Sequence, residues 1–495
     1  MSKIIIQNGN MCELDLPLKF AQKLYNEFAI RHPNAFYLRT RQRGMQNWDG
    51  KIHYITKTGQ FKIGLLPKVY DMCIEMEIKP KVVDMRQPLP KVSKVVTNIG
   101  KYKLRPEQEK AVKAVINNKI GNTPFHIGVL DYTVNAGKTL IMSSLYLSYK
   151  KQLKTLLITN DSDWLNQARE EFKQYLPGED ITFVQGKVLN WSNFTIGMVQ
   201  SISRNMRFYQ KELSQIDMVL IDEADQGGSK QYQNVITRLF NTRIRIGLSG
   251  TIYMSKLAKD RVKNMNLECF FGKVLAEFKL KDSIKKGYST KTVVKMVPGK
   301  PWYGNWESDC ISYKEIYDDS ITNCYTAWLM AYNRLLWNLN QGRYPALVVC
   351  KHIAHCENLY KFFKKKLGDA YNIAYVHVNT PSKLRQQIMK DFREGKIDIL
   401  VSTTIIARGK NFPKLKYLLN TASMDSQEKS IQFLGRLVRT DESKNKVYLD
   451  DLHYPGPYLD RHGKHRKQYY QRQELKVILL DKLWKKHPNH SLIKS

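Results

Sequence analysis

No stretch of this chain approaches the roughly 18 consecutive apolar residues that a membrane-spanning helix needs. Met1-Ser2-Lys3 leads only into a short Ile4–Ile6 run, so neither a membrane span nor a secretory leader is expected. Cysteine is sparse: Cys12, Cys73, Cys269, Cys310, Cys324, Cys350 and Cys356 are odd in number and scattered. Cys350 and Cys356 have no second pair to complete a zinc site, and reduced, incidental thiols are the expectation. Acidic residues are also in deficit. Against 80 Lys and Arg stand 45 Asp and Glu, a formal net charge of +35. A merely solvated surface would mix the signs, whereas phosphate neutralisation demands an excess of one, so nucleic acid is the expected partner. Repeats and low-complexity tracts are absent.

What is present is enough apolar material, 42% of 495 residues, for two to four domains. The first ninety residues read as a small α+β unit. Lys3–Gln7, Glu13–Leu16, Asn34–Arg43, Lys51–Thr56 and Lys79–Met85 are expected strands, and Leu18–Ile30 and Ile63–Met76 expected helices. On the third strand Arg39, Arg41 and Arg43 alternate and would share one face, meeting phosphates or water. Asp49-Gly50 marks a hairpin turn beside Trp48 and Lys51. Pro88, Pro90 and the polar stretch to Gly100 read as a linker.

Beyond it, β-type runs alternate with helical patterns. The first series is His126–Leu130, Thr155–Thr159, Phe194–Val199, Met218–Ile221 and Ile244–Ser249. The second is Ala346–Cys350, Ile373–Val378, Ile397–Ser402, Tyr417–Asn420 and Lys446–Leu449. Such alternation implies parallel sheets flanked by helices, with ligands at the carboxyl ends of the strands. A basic, helical tail spans Arg461–Lys486.

Two contiguous motifs carry the chemistry. Thr133-Val134-Asn135-Ala136-Gly137-Lys138-Thr139 follows a strand and opens an apolar helix. Backbone N–H groups and the helix N-terminus there form an anion site, Lys138 would reach the β/γ-phosphates, and the Thr139 hydroxyl would bind Mg2+. Tyr132 stands where glycine is usual, and Asn135 replaces a second common glycine, but asparagine tolerates left-handed backbone angles. The second motif is Asp222-Glu223-Ala224-Asp225, directly after an apolar strand. Asp222 would hold Mg2+ and Glu223 would activate water. ATP and Mg2+ are the expected cofactors. Ser249-Gly250-Thr251 adds small hydroxyls at another strand end.

With these residues in this order, the chain resembles a superfamily 2 helicase. Leu104-Arg105-Pro106-Glu107-Gln108 is similar to the adenine-reading motif, which implies nucleotide contacts for Arg105 and Gln108. Asp222–Asp225 resembles motif II, and Ser249 and Thr251 resemble the coupling motif III. Ser402-Thr403 through Arg408-Gly409-Lys410-Asn411 resembles motif V, implying DNA contact at Thr403 and nucleotide contact at Gly409. Gln432-Phe433-Leu434-Gly435-Arg436-Leu437-Val438-Arg439 resembles motif VI, implying nucleotide contact at Gln432 and γ-phosphate contact at Arg436 and Arg439. Those arginines, three apart, would lie on one helical face. Thr159-Asn160-Asp161-Ser162 and Val199-Gln200-Ser201 resemble motifs Ia and Ic, which implies backbone contacts to DNA from Asn160, Ser162, Gln200 and Ser201.

A narrower resemblance, carried by Asn47-Trp48-Asp49-Gly50-Lys51 and Gly64-Leu65-Leu66, is to the UvsW-type phage helicases. It implies an α/β fold of two RecA-like parallel-sheet domains in tandem, preceded by a small α+β domain and followed by a basic helical tail. The expected boundaries are 1–90, 100–285, 286–455 and 456–495. It also implies DNA contact at Trp48 and Lys51, although the Trp48 turn could equally be a structural corner. The implied activity is ATP-dependent unwinding or remodelling of branched or forked DNA in recombination and repair, in a host cytoplasm, alongside single-strand-binding or recombination proteins and away from membranes. An RNA helicase of the same superfamily, or a nucleic-acid-binding protein that ATP switches without unwinding, stays open as an alternative.

Overall fold

The computed structural model describes residues 2–41, 44–149, 152–160, 162–186, 188–253, 260–299, 312–407 and 412–480. Contacts divide the chain into two compact units, Met1–Phe278 and Lys279–Ser495.

In the first unit an eight-stranded sheet runs Val188–Leu189, Ile181–Gln185, Phe194–Met198, Thr155–Thr159, Met218–Asp222, Ile244–Ser249, His126–Tyr132, Val274–Phe278 in spatial order. All neighbours are parallel except the short Val188–Leu189 edge, which is antiparallel. His126–Tyr132 and Met218–Asp222 are buried at every residue, as a strand covered by helices on both faces must be. The second unit holds seven strands, all parallel: Ile373–Val376, Ile399–Thr403, Ala346–Cys350, Tyr417–Asn420, Lys446–His453, Lys291–Pro298 and Val477–Leu479. These are two RecA-like sheets in tandem.

The amino-terminal residues form a mixed sheet, Gln60–Lys62, Met11–Asp15, Lys3–Ile6, Lys81–Asp84, with helices Leu18–Glu27 and Leu66–Glu75. Its apolar residues, among them Ile4, Leu24, Phe61 and Val69, belong to the same hydrophobic cluster as Ile127, Val219 and Phe271. The approach is close: a Cβ at Gly64 would stand 2.1 Å from the carbonyl oxygen of Glu268. Arg245, wholly buried in a sheet strand, donates to the carbonyls of Gly9 (2.6 Å) and Phe270 (3.2 Å) and to Asn10 Oδ1 (2.8 Å).

Two expectations are corrected. Asn34–Arg43 is not a strand: Ala35–Arg41 is a helix. Alanine, leucine and arginine favour that state, and the alternating arginines masked it. Arg39 and Arg41 therefore do not share a face, and Arg43 lies outside the described residues. The Lys51–His53 strand pairs instead with Ala29–Arg31. At the other end, the tail helix covers Leu459–Arg472, after which Val477–Leu479 turns to strand and pairs in parallel with Val294–Met296. Its β-branched and leucine residues complete a sheet edge rather than a helix face. Leu483 and Lys486 lie outside the described residues.

The second core encloses an imidazole. His355 Nδ1 lies 2.9 Å from the Tyr317 hydroxyl, and burial, with His352 adding, pushes its pKa down to about 3. The unfolded chain binds this proton near pH 6.5 while the folded chain does not. Stability is therefore complete above pH 6.5 and falls as the pH drops toward 3, by about 1.4 kcal/mol per unit from this one group. Urea unfolding between pH 7 and 4 should show that slope, and His355→Phe should remove it.

Candidate active site

Parallel strands bring their carboxyl ends to one edge of the first sheet, and the candidate residues sit there. Asp131 is in register with Ser249, and Asp222 with Leu248. The 133–139 loop, Asp222-Glu223 and Ser249–Thr251 thus leave three adjacent strands side by side. Thr159-Asn160 and Met198–Gln200 leave the next two.

The loop adopts the backbone its sequence departures had put in question. Asn135 (φ +63°) and Gly137 (φ +71°) are both left-handed. Gly137 caps the Lys138–Ser148 helix, so Lys138 and Thr139 are its first two residues. A side chain at Gly137 would meet Gln108 Nε2 at 2.3 Å. Tyr132, in place of the usual glycine, is fully buried and donates to the Glu107 carbonyl at 2.7 Å. It ties the loop to the Pro106–Ile116 helix, and burial raises its pKa. Gln108 completes the tie, donating from Nε2 to the Ala136 carbonyl (2.8 Å) and accepting from the Arg105 N–H (2.8 Å). The structure therefore shows Gln108 bracing the phosphate loop.

Within this loop, Thr133 Oγ1 and both side-chain polar atoms of Asn135 are shielded from solvent without a hydrogen-bond partner among the described residues. Unmatched buried polar atoms are costly, and a polar ligand would satisfy them. Asp222, at its strand end, and the Thr139 hydroxyl, in the first turn of the helix that follows the loop, are donor types that Mg2+ takes up together with phosphate oxygens. The residues present thus fit a magnesium nucleotide.

Glu223 is also left-handed, at φ +51°, an uncommon state for a non-glycine residue and one concentrated at functional sites. Asp225 accepts from Ser249 Oγ at 2.8 Å, and Ser249 Oγ lies 3.1 Å from Thr251 Oγ1. Motifs II and III are therefore bonded. A second chain of bonds escaped the sequence reading. Gln226 Nε2 donates to Glu223 Oε2 at 3.2 Å, Gln226 Oε1 accepts from Asn160 Nδ2, and the Asn160 carbonyl accepts from Gln200 Nε2 at 3.4 Å. Through Gln226 the acidic strand end touches both motif Ia and motif Ic. Its only sequence signal was adjacency to Asp225. Ser201 accepts from the Gly186 N–H (2.9 Å), and Ser162 is exposed at the start of its helix, while Asp161 lies outside the described residues.

In the second unit, the Gln427–Leu437 helix carries Gln432, bonded to Glu428 at 3.2 Å, and half-buried Arg436. Arg439 lies beyond the Val438 cap, so the two arginines do not share one helical face; the helix stops first, and Thr290 binds the Val438 and Arg439 carbonyls. Thr403 is buried at a strand end, and Gly409 with Arg408, Lys410 and Asn411 lies outside the described residues. Beside Thr403 the sequence reading missed Lys351. It follows the Ala346–Cys350 strand, and burial with the nearby Lys429 cation pushes it down to about 8. Lys429 reaches Thr404 Oγ1 at 3.4 Å. Two crowded cations and a hydroxyl at one strand end suit an anion. Lys51 belongs to the separate Ala29–Arg31/Lys51–His53 ladder, and Trp48 lies in the turn that precedes it.

Comparison with known proteins agrees with this arrangement. Residues 101–254 match the family described as type III restriction enzyme, res subunit, and residues 329–441 match the helicase conserved C-terminal domain. The chain is 22% identical over 385 residues to helicase 22, a candidate helicase of Sulfolobus islandicus filamentous virus (isolate Iceland/Hveragerdi), covering 71% of this chain and 64% of that protein. It is 22% identical over 452 residues to the ATP-dependent DNA helicase uvsW of Enterobacteria phage T4, covering 82% of each. A solved structure of the ATP-dependent Type ISP restriction-modification enzyme LlaBIII bound to DNA shares the fold, with a TM-score of 0.56 at 15% identity over 81% of this chain and 33% of that one. The two matched domains in this order make the chain a member of the superfamily 2 helicases. Among them, it resembles the UvsW type.

Proposed function

We propose that this chain is an ATP-dependent DNA helicase or translocase that remodels branched DNA. The observation that carries the reading is the single sheet edge on which the 133–139 loop, Asp222-Glu223 and Ser249 stand beside Asn160 and Gln200. A nucleotide-binding loop and nucleic-acid-facing strand ends that share one rigid edge are the parts a motor needs. The charge of +35 supports a polyanionic track, and the uvsW relative supports DNA as that track.

In this reading ATP supplies the γ-phosphoryl group whose hydrolysis drives the cycle. Lys138 and the loop N–H groups hold its phosphates, Thr139 and Asp222 hold Mg2+, and Glu223 takes a proton from the attacking water. In the second unit, Gln432, Arg436 and Arg439 are the candidate nucleotide contacts and Thr403 the candidate grip on the nucleic-acid backbone. The amino-terminal residues to about 90 and the tail from 456 hold duplex arms.

Strand displacement on a panel of DNA forks, four-way DNA junctions and RNA duplexes tests the proposal. ATP-dependent displacement should be greatest on the branched DNA. Faster opening of RNA duplexes would transfer the assignment to an RNA helicase, and ATP turnover without displacement on any substrate would reduce it to an ATP-switched binding protein.

A further inference from the structure

The Ala35–Arg41 helix leaves large rings in water. Phe36 is 79% exposed and Tyr37 54%, although both could have been buried by an amphipathic helix of the same length. Around them the charge has one sign. Between Ala29 and Lys51 the chain carries Arg31, Arg39, Arg41, Arg43 and Lys51 against the single acid Asp49. Asp49 is itself engaged, at 2.7 Å from His53 Nε2 and 2.9 Å from the Lys51 N–H. Arg41 lies 4.8 Å over one face of the Tyr37 ring, which sets a guanidinium and an exposed ring side by side. Beside Phe36 runs a groove of about 460 Å³ lined by Ile30, Arg31, His32, Pro33 and Arg261.

Local bonds hold this helix in place. The His32 N–H donates to the Gly50 carbonyl at 2.8 Å and the Ala35 N–H to the His32 carbonyl at 3.0 Å. Trp48 packs edge-on against His32, 5.7 Å between centroids, and spends its indole N–H on the Lys51 carbonyl at 2.9 Å. Trp48 is therefore the corner that props the helix, and the rings on offer are Phe36 and Tyr37.

We propose that Phe36 and Tyr37 form a stacking platform for unpaired nucleotides, with Arg31, Arg39, Arg41 and Arg261 neutralising the adjoining phosphates. Exposed rings set among cations match a single strand, whose bases present π-faces and whose backbone presents charge. A fully paired duplex offers the charge but hides the faces. The platform rests on the nucleic-acid reading above and refines it: within the amino-terminal residues that hold the duplex arms, the Ala35–Arg41 helix would engage the unpaired arm of the branch.

The test is binding of the full chain to a fork with unpaired arms and to a blunt duplex of equal length, each followed by fluorescence anisotropy. Because both rings are exposed, the Phe36→Ala/Tyr37→Ala variant keeps its core. It should bind the fork roughly tenfold more weakly and the duplex as the parent does. A Phe36→Trp/Tyr37→Trp variant should restore fork binding, and 2-aminopurine in the fork arm should be quenched by the parent and not by the alanine variant. An RNA fork showing the same selective loss would support the platform equally, since stacking reads bases rather than sugars. Parent-like fork binding by the alanine variant, or an equal loss on fork and duplex, would overturn it. A parent chain that binds neither fork nor duplex would instead remove the nucleic-acid reading beneath it.

Discussion

Replacing Lys138 by alanine is expected to lower nucleic-acid-stimulated ATP turnover by ~10²–10³-fold, the scale lost when one fixed donor is removed from a developing negative charge. Lys138 is the first residue of its helix, directly after left-handed Gly137, so its ammonium leaves the helix end together with the loop N–H groups. No other lysine or arginine occurs between Tyr132 and Ser148, and the loop cannot recruit a substitute from its own helix. Nucleic-acid binding should persist with its salt dependence, because the substitution removes one cation from 80. Steady-state phosphate release and a salt titration of fork binding are the two measurements. Turnover at the parental rate in the variant would refute the motor assignment.

Arg466→Ala should destabilise the second unit by about 3–5 kcal/mol, the cost of stranding a buried partner charge. The Arg466 and Asp451 side chains are both fully buried, joined from Nε (2.9 Å) and Nη2 (2.8 Å) to Asp451 Oδ1. Arg466 also donates to the carbonyls of Met424 (3.0 Å) and Leu452 (2.9 Å), while Asp451 Oδ2 accepts from Asn420 (2.8 Å) and Tyr470 (2.8 Å). Removing the guanidinium leaves a carboxylate in the core with two neutral donors. Changing Arg466→Met and Asp451→Leu together should cost much less, since no lone charge remains. Chemical denaturation of the two variants separates the outcomes, and equal losses would show that lost packing rather than the unpaired charge governs this site.

The same pair explains what was legible. Asp451 stands on the Lys446–His453 strand and Arg466 on the Leu459–Arg472 helix, and nothing in the spacing joins them. In sequence the helix read as a basic surface tail suited to nucleic acid. In the fold it lies against the strand, and Val477–Leu479 adds a sheet edge. By contrast, the 133–139 loop and Asp222–Asp225 were readable because each is a strand, a turn and a few side chains in one contiguous run. Asn34–Arg43 failed for the opposite reason: alternating arginines have the same period on a strand whether or not another strand is there to pair with it. Arg439 failed by two residues: the helix ends at Leu437, and the carbonyls of Val438 and Arg439 bond to Thr290, 148 and 149 residues away in sequence.

By itself the sequence determined the alternation that builds two parallel sheets, the left-handed tolerance of Asn135 and Gly137, the acidic strand end and the excess of positive charge. These follow from periodicity and contiguous chemistry, which act over a few residues. Tertiary structure alone decided the rest. It set Gln226 between Glu223 and Asn160, buried Arg245 against Gly9 at a separation of 236 residues, merged the amino-terminal core with the first large sheet and turned Phe36 and Tyr37 outward. Each of these depends on which distant surface closes over a residue, and burial, unlike propensity, is a property of the partner as much as of the chain.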